Sequence, residues 1–317
     1  MRLAAGDFER GWPEYEWRFK MRHRNRPTAP APEWDGSPLN GRRLLIRAEQ
    51  GIGDAAQFMR YGRLIPRGTG GTVILECPEP LIDLAKTCEG VDELTVRGKE
   101  LPPCDLVVPL LTVGGLLKTT LATIPSEIPY ISTDPARVEY WKNELSALPG
   151  LRVGISWQGS LDHRGDRMRS VPLTRFAEFA KIPCITLCSL QKNVGSEQLL
   201  DANVKDVTIH DFGSLTASSF ADTAALLQSL DLVLTIDTAI GHIAGALGVP
   251  VWVLIPAASD WRWLNVREDT PWYPTMRLFR QPKPGDWDPV FARLSTAFHQ
   301  WPERLRKALA ASRGGNK

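Results

Sequence analysis

Short apolar runs alternate with amphipathic stretches along most of the chain. In its first part "RLLIRA" passes through a glycine turn into a helix predicted over roughly 54–66. "GTVILEC" then leads to the helix "PLIDLAKTC", and "CDLVVPL" comes later. A second series opens at "RVGISW" and continues through "ITLCSL", "DVTIHD" and the helix "FADTAALLQSL". The strand "DLVLTID", the helix "AIGHIAGAL" and the strand "PVWVLI" complete it. Strands separated by one helix each predict right-handed βαβ units and parallel sheets. Two series, each with its own opening strand, predict an α/β fold of two Rossmann-like halves, joined by the helix "DPARVEYWKNELSAL". The expected boundaries are 1–38 for an N-terminal helix and linker, 39–149 for a first domain and 150–288 for a second. A last helix in 289–317, roughly Pro289 to Ala311, is expected to return across the first half.

The ends of this plan read differently. Phe8, Trp12, Tyr15 and Phe19 stand at helical spacing, and the piece resembles the tail of a tetratricopeptide repeat. One partial repeat cannot bury its own face, so the segment either packs on the main body or is the stump of a longer array. "RNRPTAPAPEWDGSPLNGR" is proline-rich and aperiodic, a linker.

Composition narrows the classes. The chain of 317 residues is 43% hydrophobic and 23% charged with a formal net charge of +2, which gives no sign of a nucleic-acid-binding tract. Five cysteines form no CxxC pair and sit in or beside apolar runs, as buried free thiols in a reducing compartment do. The N-terminus has no apolar signal core, and "VPVWVLIPAA" is too short to cross a bilayer. A soluble cytoplasmic protein is the expectation.

Candidate chemistry begins at Gly51-Ile52-Gly53-Asp54-Ala55-Ala56, which fits G-x-G-x-x-A after a strand, with Glu76 at the distance of a ribose-binding acid. That keeps an NAD-dependent oxidoreductase as an alternative. Against it, Asp54 puts a carboxylate where a pyrophosphate should meet bare backbone amides. Asp54 reads either as a helix cap or as a base that takes a proton from a hydroxyl held in a cleft. In the second half Thr238, Gly241, His242 and Gly245 share one helical face, and that helix opens at a strand's carboxyl edge, where a diphosphate can dock. His163, Arg164, Arg167 and Arg169 crowd a loop on the same edge. Arg169, just before the apolar "VPL", is the one best placed to reach phosphate. Glu197 is a candidate for ribose hydroxyls. Trp261, Trp263 and Trp272 read as a sugar platform or, more simply, as aromatic core. Asp286-Trp287-Asp288 sits at a helix start and is read as a cap, not a metal site.

Taken jointly, "EQGIGDAAQFMRY", "GISWQGS", "DRMRSVPL", "SLQK" and "DTAIGHIAGALGVPVWVL" resemble the catalytic region of bacterial tetratricopeptide-linked glycosyltransferases. These are related to glycosyltransferase family nine, the heptosyltransferases. The likeness runs from about Trp34 to Trp287. It implies a GT-B fold and a metal-independent, inverting transfer of a hexosyl or heptosyl group from a nucleotide-diphosphate sugar to a protein or glycan hydroxyl, with no cofactor. It implies Asp54 as general base, Gly51, Gly53 and Gln57 on the acceptor side, and Arg169, Lys192, Glu197, Asp237, Thr238 and His242 at the donor. Arg169 stands where the heptosyltransferases have a lysine, and the sequence after the donor helix differs from theirs. A catalytically degenerate, binding-only module is the further alternative.

Overall fold

A computed structural model describes residues 1–21, 31–216 and 219–314. The first part of the expected linker, residues 22–30, lies outside the described residues.

Two parallel sheets carry the fold. The first contains β1 (Arg43–Arg47), β2 (Thr72–Cys77), β3 (Glu93–Val96) and β4 (Leu106–Pro109) in the order β3-β2-β1-β4. The second contains β5 (Leu151–Ser156), β6 (Ile185–Ser189), β7 (Ile209–Asp211), β8 (Leu232–Ile236), β9 (Val251–Ile255) and β10 (Met276–Arg280), in the order β10-β9-β8-β5-β6-β7. Central strands such as β8 and β9 are buried along their whole length, which is why they read as unbroken apolar runs. The two strands that the pattern did not predict, β3 and β10, are sheet edges. β3 is half-exposed, and β10 carries Arg277 and Arg280 between its apolar residues.

Chain order reverses once in each sheet. The second sheet grows from β5 through β6 to β7, then restarts on the other side of β5 with β8, β9 and β10. The gap between the carboxyl ends of β5 and β8 is therefore a topological switch point, where open α/β sheets receive ligands.

Six helices are used below: α1 (Phe8–Tyr15), α2 (Ile52–Phe58), α3 (Pro135–Leu145), α4 (Phe220–Gln228), α5 (Ala239–Ala246) and α6 (Asp288–Gly314). The helix predicted over 54–66 is α2 followed by a 3-10 segment, Met59–Leu64. The linking helix α3 buries Trp141 and Leu145, and Ser229 Oγ at the end of α4 donates to the Val138 carbonyl at 3.3 Å.

Buried side chains of both halves form one continuous core, including Leu44 and Phe58 from the first and Ile243 and Val251 from the second. Arg60 pins this junction. Its guanidinium is fully buried and donates to the carbonyls of Gln57 (2.8 Å), Pro125 (2.8 Å) and Trp272 (2.7 Å) and to the Tyr130 hydroxyl (2.9 Å). The rings of Tyr130 and Tyr273 lie 4.2 and 4.5 Å from it.

The N-terminal segment packs on the body. Trp12 is 5% exposed, lies against Gly114 and Gly115, and donates its indole N–H to the Thr119 carbonyl at 2.8 Å. Arg18, also buried, bonds Glu16 (2.6 Å), Glu49 (3.0 Å) and Thr112 (2.8 Å), which ties the segment to the carboxyl ends of β1 and β4. The first part of the last helix lies on the second sheet. In α6 the apolar stripe Val290, Leu294, Ala297 and Phe298 packs with Trp252, Leu254 and Phe279 on the outer face of the second sheet, so this part of the helix does not cross to the first. Asp288 at its start pairs with Arg175.

Candidate active site

A cavity of about 740 Å³ opens at the switch point, within the range of about 300–1,000 Å³ usual for small-molecule sites. Gly51, Ile52, Gly53 and Asp54 form its wall from the first half. The second half supplies Arg169, Lys192, Asp237, Thr238, His242, Asp260 and Arg262, with the 158–168 loop along one side.

On the first wall, β1 ends in the turn that starts α2. Asp54 is the third residue of that helix, and its Oδ2 accepts the Gly51 N–H at 2.7 Å. The side chain therefore caps its own helix, as one reading required, and it also faces the cavity. Its Oδ1 pairs with Arg262 of the second half. Of the two glycines, Gly53 is the one that packing requires. Gly51 has an ordinary φ of −77°. At Gly53 a Cβ would sit 2.8 Å from the His242 ring and 3.4 Å from Ala239 Cα. Glycine here lets α2 lie directly on α5.

On the opposite wall, β8 runs into extended Thr238 and then α5. Thr238 makes no side-chain cap, which leaves the first amides of α5, at Ala239 and Ile240, directed at the cavity they line. Such an end is a ready anion site. Arg169 stands beside it, donating from Nη1 to the Asp237 carbonyl (2.6 Å) and from Nε to Asp166 Oδ1 (3.2 Å). Buried Asp166 also accepts from Gln158 Nε2 (2.6 Å) and Ser170 Oγ (2.9 Å), so it organises the whole loop. Gly159 is required under this pair, since a Cβ would fall 2.2 Å from Asp166 and 2.5 Å from Arg169.

Electrostatics sharpen the picture. Burial, with the nearby Asp260 charge, pushes the Asp237 carboxyl up to about 6. Burial and the charges of Arg262, Arg60 and Arg169 push His242 down to about 3, so its imidazole is neutral at ordinary pH. That ring bonds the Tyr273 hydroxyl through Nδ1 (3.1 Å), stacks on Trp263 at 5.3 Å, and holds Nε2 3.9 Å from Asp237. Burial lowers Lys192 as well.

The residues expected at the site separate into two groups. The structure brings together Gly51, Gly53, Asp54, Arg169, Lys192, Asp237, Thr238 and His242. Gln57 is not among them: it is 0% exposed, one turn along α2 and inside the packed body. Nor is Glu197. A left-handed Gly195 (φ 90°) turns the chain back, and the exposed Glu197 carboxylate accepts that glycine's own N–H at 2.8 Å. It does not line the cavity. Glu76, the ribose acid of the oxidoreductase reading, is spent on Arg47 through bonds of 2.8 and 3.0 Å. Trp263 and Trp272 are core, and Trp261 packs edge-on against Phe8, Trp12, Tyr15 and Phe58. None of the three lines the cavity.

Three side chains escaped the sequence reading. Gln191 ties the β5 and β6 loops, accepting from the backbone of Trp157 and Gln158 (both 3.1 Å) and donating to the carbonyls of Gln158 (3.1 Å) and Val194 (2.8 Å). Asp260 and Arg262 lie in "SDWRW", where the tryptophans drew attention and the lone arginine between them was the signal. Among the described residues no group of three or more His, Cys, Asp or Glu side chains converges as a metal site, and no helix is long and apolar enough to cross a membrane.

The fold and this cavity define an α/β protein of the GT-B type. Residues 181–265, the stretch that carries most of the second wall, match the family described as Glycosyltransferase family 9 (heptosyltransferase). Over 94% of its length the chain is 29% identical to Protein FlbA of Caulobacter vibrioides, and it spans 54% of that relative. The glycosyl transferase family 9 structure from Veillonella parvula superposes with a TM-score of 0.59 at 12% identity, over 78% of this chain and 88% of that one. The E. coli ADP-heptose lps heptosyltransferase II does so with a TM-score of 0.53 at 13% identity, over 81% and 99%. At such identities the structural likeness is one of fold.

Proposed function

We propose that the protein is a glycosyltransferase that moves a sugar from a nucleoside-diphosphate donor to a hydroxyl acceptor, with inversion and without a metal. One observation carries this: a carboxylate, Asp54, faces an uncapped helix N-terminus and Arg169 across a single cavity. The diphosphate lies on the first amides of α5 beside Arg169, which offset the charge that grows on the leaving group. The acceptor oxygen attacks the anomeric carbon from the Asp54 side, and its proton passes to the Asp54 carboxylate. The bond from that carbon to the phosphate oxygen breaks, and the nucleoside diphosphate leaves with the electron pair. Attack and departure on opposite walls invert the anomeric centre. The family match over 181–265 supports the donor half of this reading. A nicotinamide dinucleotide fits less well, because Asp54 occupies the phosphate position of the glycine turn and Glu76 is held by Arg47.

Thermal shift and calorimetry with ADP, GDP, UDP, their hexose and heptose conjugates, the parent nucleosides and NAD test it. A ligand present at 100 times its dissociation constant adds about 2.7 kcal/mol. The expected result is stabilisation by at least one diphosphate and its sugar, with the parent nucleoside far weaker. Stabilisation by NAD alone contradicts the reading.

A further inference from the structure

Arg262 is the least economical feature of the cavity. Its side chain is 5% exposed, and its guanidinium touches two carboxylates from different halves, Nη1 on Asp260 at 2.7 Å and Nη2 on Asp54. The faces of Phe58 and Trp261 lie 5.3 and 5.0 Å away, so the cation sits in an aromatic collar. Asp260 alone, which also caps the Trp261–Trp263 turn, would neutralise this arginine. Adding Asp54 makes a triad of one net negative charge around a buried cation, with Asp260 40% and Asp54 22% exposed. Charge balance alone does not require the third member.

What the third member gains is a fixed direction. Asp54 is held at Oδ2 by the Gly51 amide of its own turn and at Oδ1 by an arginine of the opposite half. Each carboxylate oxygen keeps a second lone pair, and the side chain, 22% exposed, turns what remains toward the cavity. Each terminal nitrogen of Arg262 gives one of its two N–H groups to a carboxylate, so its charge is already matched by Asp54 and Asp260. We infer that Arg262 is the positioning residue for Asp54, setting the angle of the base from the donor half so that proton transfer is aligned with the bound donor. This rests on Asp54 being the base.

The test uses Arg262→Lys, Arg262→Gln, Asp54→Asn and each Arg262 variant combined with Asp54→Asn, all in the full chain. Three quantities are read: melting temperature, donor dissociation constant, and release of nucleoside diphosphate from the nucleotide sugar that binds best in the panel above. Radiolabelled donor keeps rates roughly ten-thousandfold below normal measurable. A lysine keeps the charge but lacks the planar fork that reaches both carboxylates. A misplacement of about 1 Å costs on the order of a hundredfold. The expected result is turnover lowered roughly ten- to a hundredfold in either Arg262 variant, with donor affinity within about threefold. In the Asp54→Asn background the same replacements should change the residual rate less than about twofold, because the group they act through is gone.

Equal losses in both backgrounds overturn the inference and make Arg262 an independent contributor. Unchanged turnover in the single variants also overturns it. If both Arg262 variants melt below the assay temperature, the residue holds the fold rather than the carboxylate, and the inference fails. Normal turnover in Asp54→Asn alone is a different outcome, since it removes the base assignment itself.

Discussion

Asp237 and His242 lie 3.9 Å apart in the cavity and are displaced in opposite senses, the acid up to about 6 and the imidazole down to about 3. Their effects on folding oppose each other. The raised Asp237 value stabilises the protein at low pH, and that contribution is lost as pH rises from 3.8 through about 6. The depressed His242 value means the contribution of its neutral form is present above 6.5 and is lost as pH falls through that value toward about 3. Melting curves would blur the two, so ligand binding is the better probe. A nucleotide sugar keeps both phosphate charges through this range, and it meets one negative charge fewer once Asp237 is protonated. Donor affinity measured by calorimetry should rise roughly fivefold or more as pH falls from 8 to 5.5, within the usual range for coupled sites. Asp237→Asn should bind at every pH as the wild type does at 5.5. An unchanged slope in that variant would assign the dependence elsewhere. At this scale the sequence revealed residue types but not their partners. Asp54 and Thr238 were legible because each stands at the junction of an apolar strand and a helix, and Arg169 because it immediately precedes the apolar "VPL". Arg262 was not, since its partner is 208 positions away.

Helices α2 and α5 meet at Gly53, and this contact joins the halves at the cavity. Gly53 admits the His242 ring, and at Gly245 a Cβ would fall 2.6 Å from the Tyr273 ring. Gly53→Ala should therefore cost roughly 1–3 kcal/mol, the usual penalty for overpacking. Differential scanning calorimetry should show the melting temperature lowered by at least a few degrees, and an unaltered value would mean that the helices have room to separate. The strand-turn-helix grammar of these elements was plain in the sequence, because central parallel strands must be apolar on both faces. The purpose of the glycines was not. G-x-G-x-x-A specifies a close approach without saying whether a phosphate or another helix makes it, and here the space is taken by His242 and Ala239. Edge strands β3 and β10 were missed because their half-wet surfaces permit charge. The neighbour of the first part of α6 was not legible because helical periodicity names the buried face of a helix but not what covers it.

The whole molecule places its chemistry between two sheets that share one core. Arg60, buried at the junction and bonded to carbonyls of Gln57 and Trp272, holds the halves in register. The N-terminal segment adds Phe8, Trp12 and Tyr15 around Trp261, immediately beside Arg262. These features bring a carboxylate from one half and a helix N-terminus from the other into one cavity, and the proposed transfer requires both. Asp54→Asn examines that requirement most directly. Asparagine retains the size of the side chain and one acceptor oxygen, which serves Arg262 or the Gly51 amide but not both, and it does not take up the acceptor's proton. The decisive measurement is turnover of this variant at saturating nucleotide sugar, in a preparation whose melting temperature and donor affinity match the wild type. The account predicts a rate roughly a hundred to ten thousand times lower. A rate within a fewfold of wild type would contradict it and leave Asp54 as the cap of its own helix.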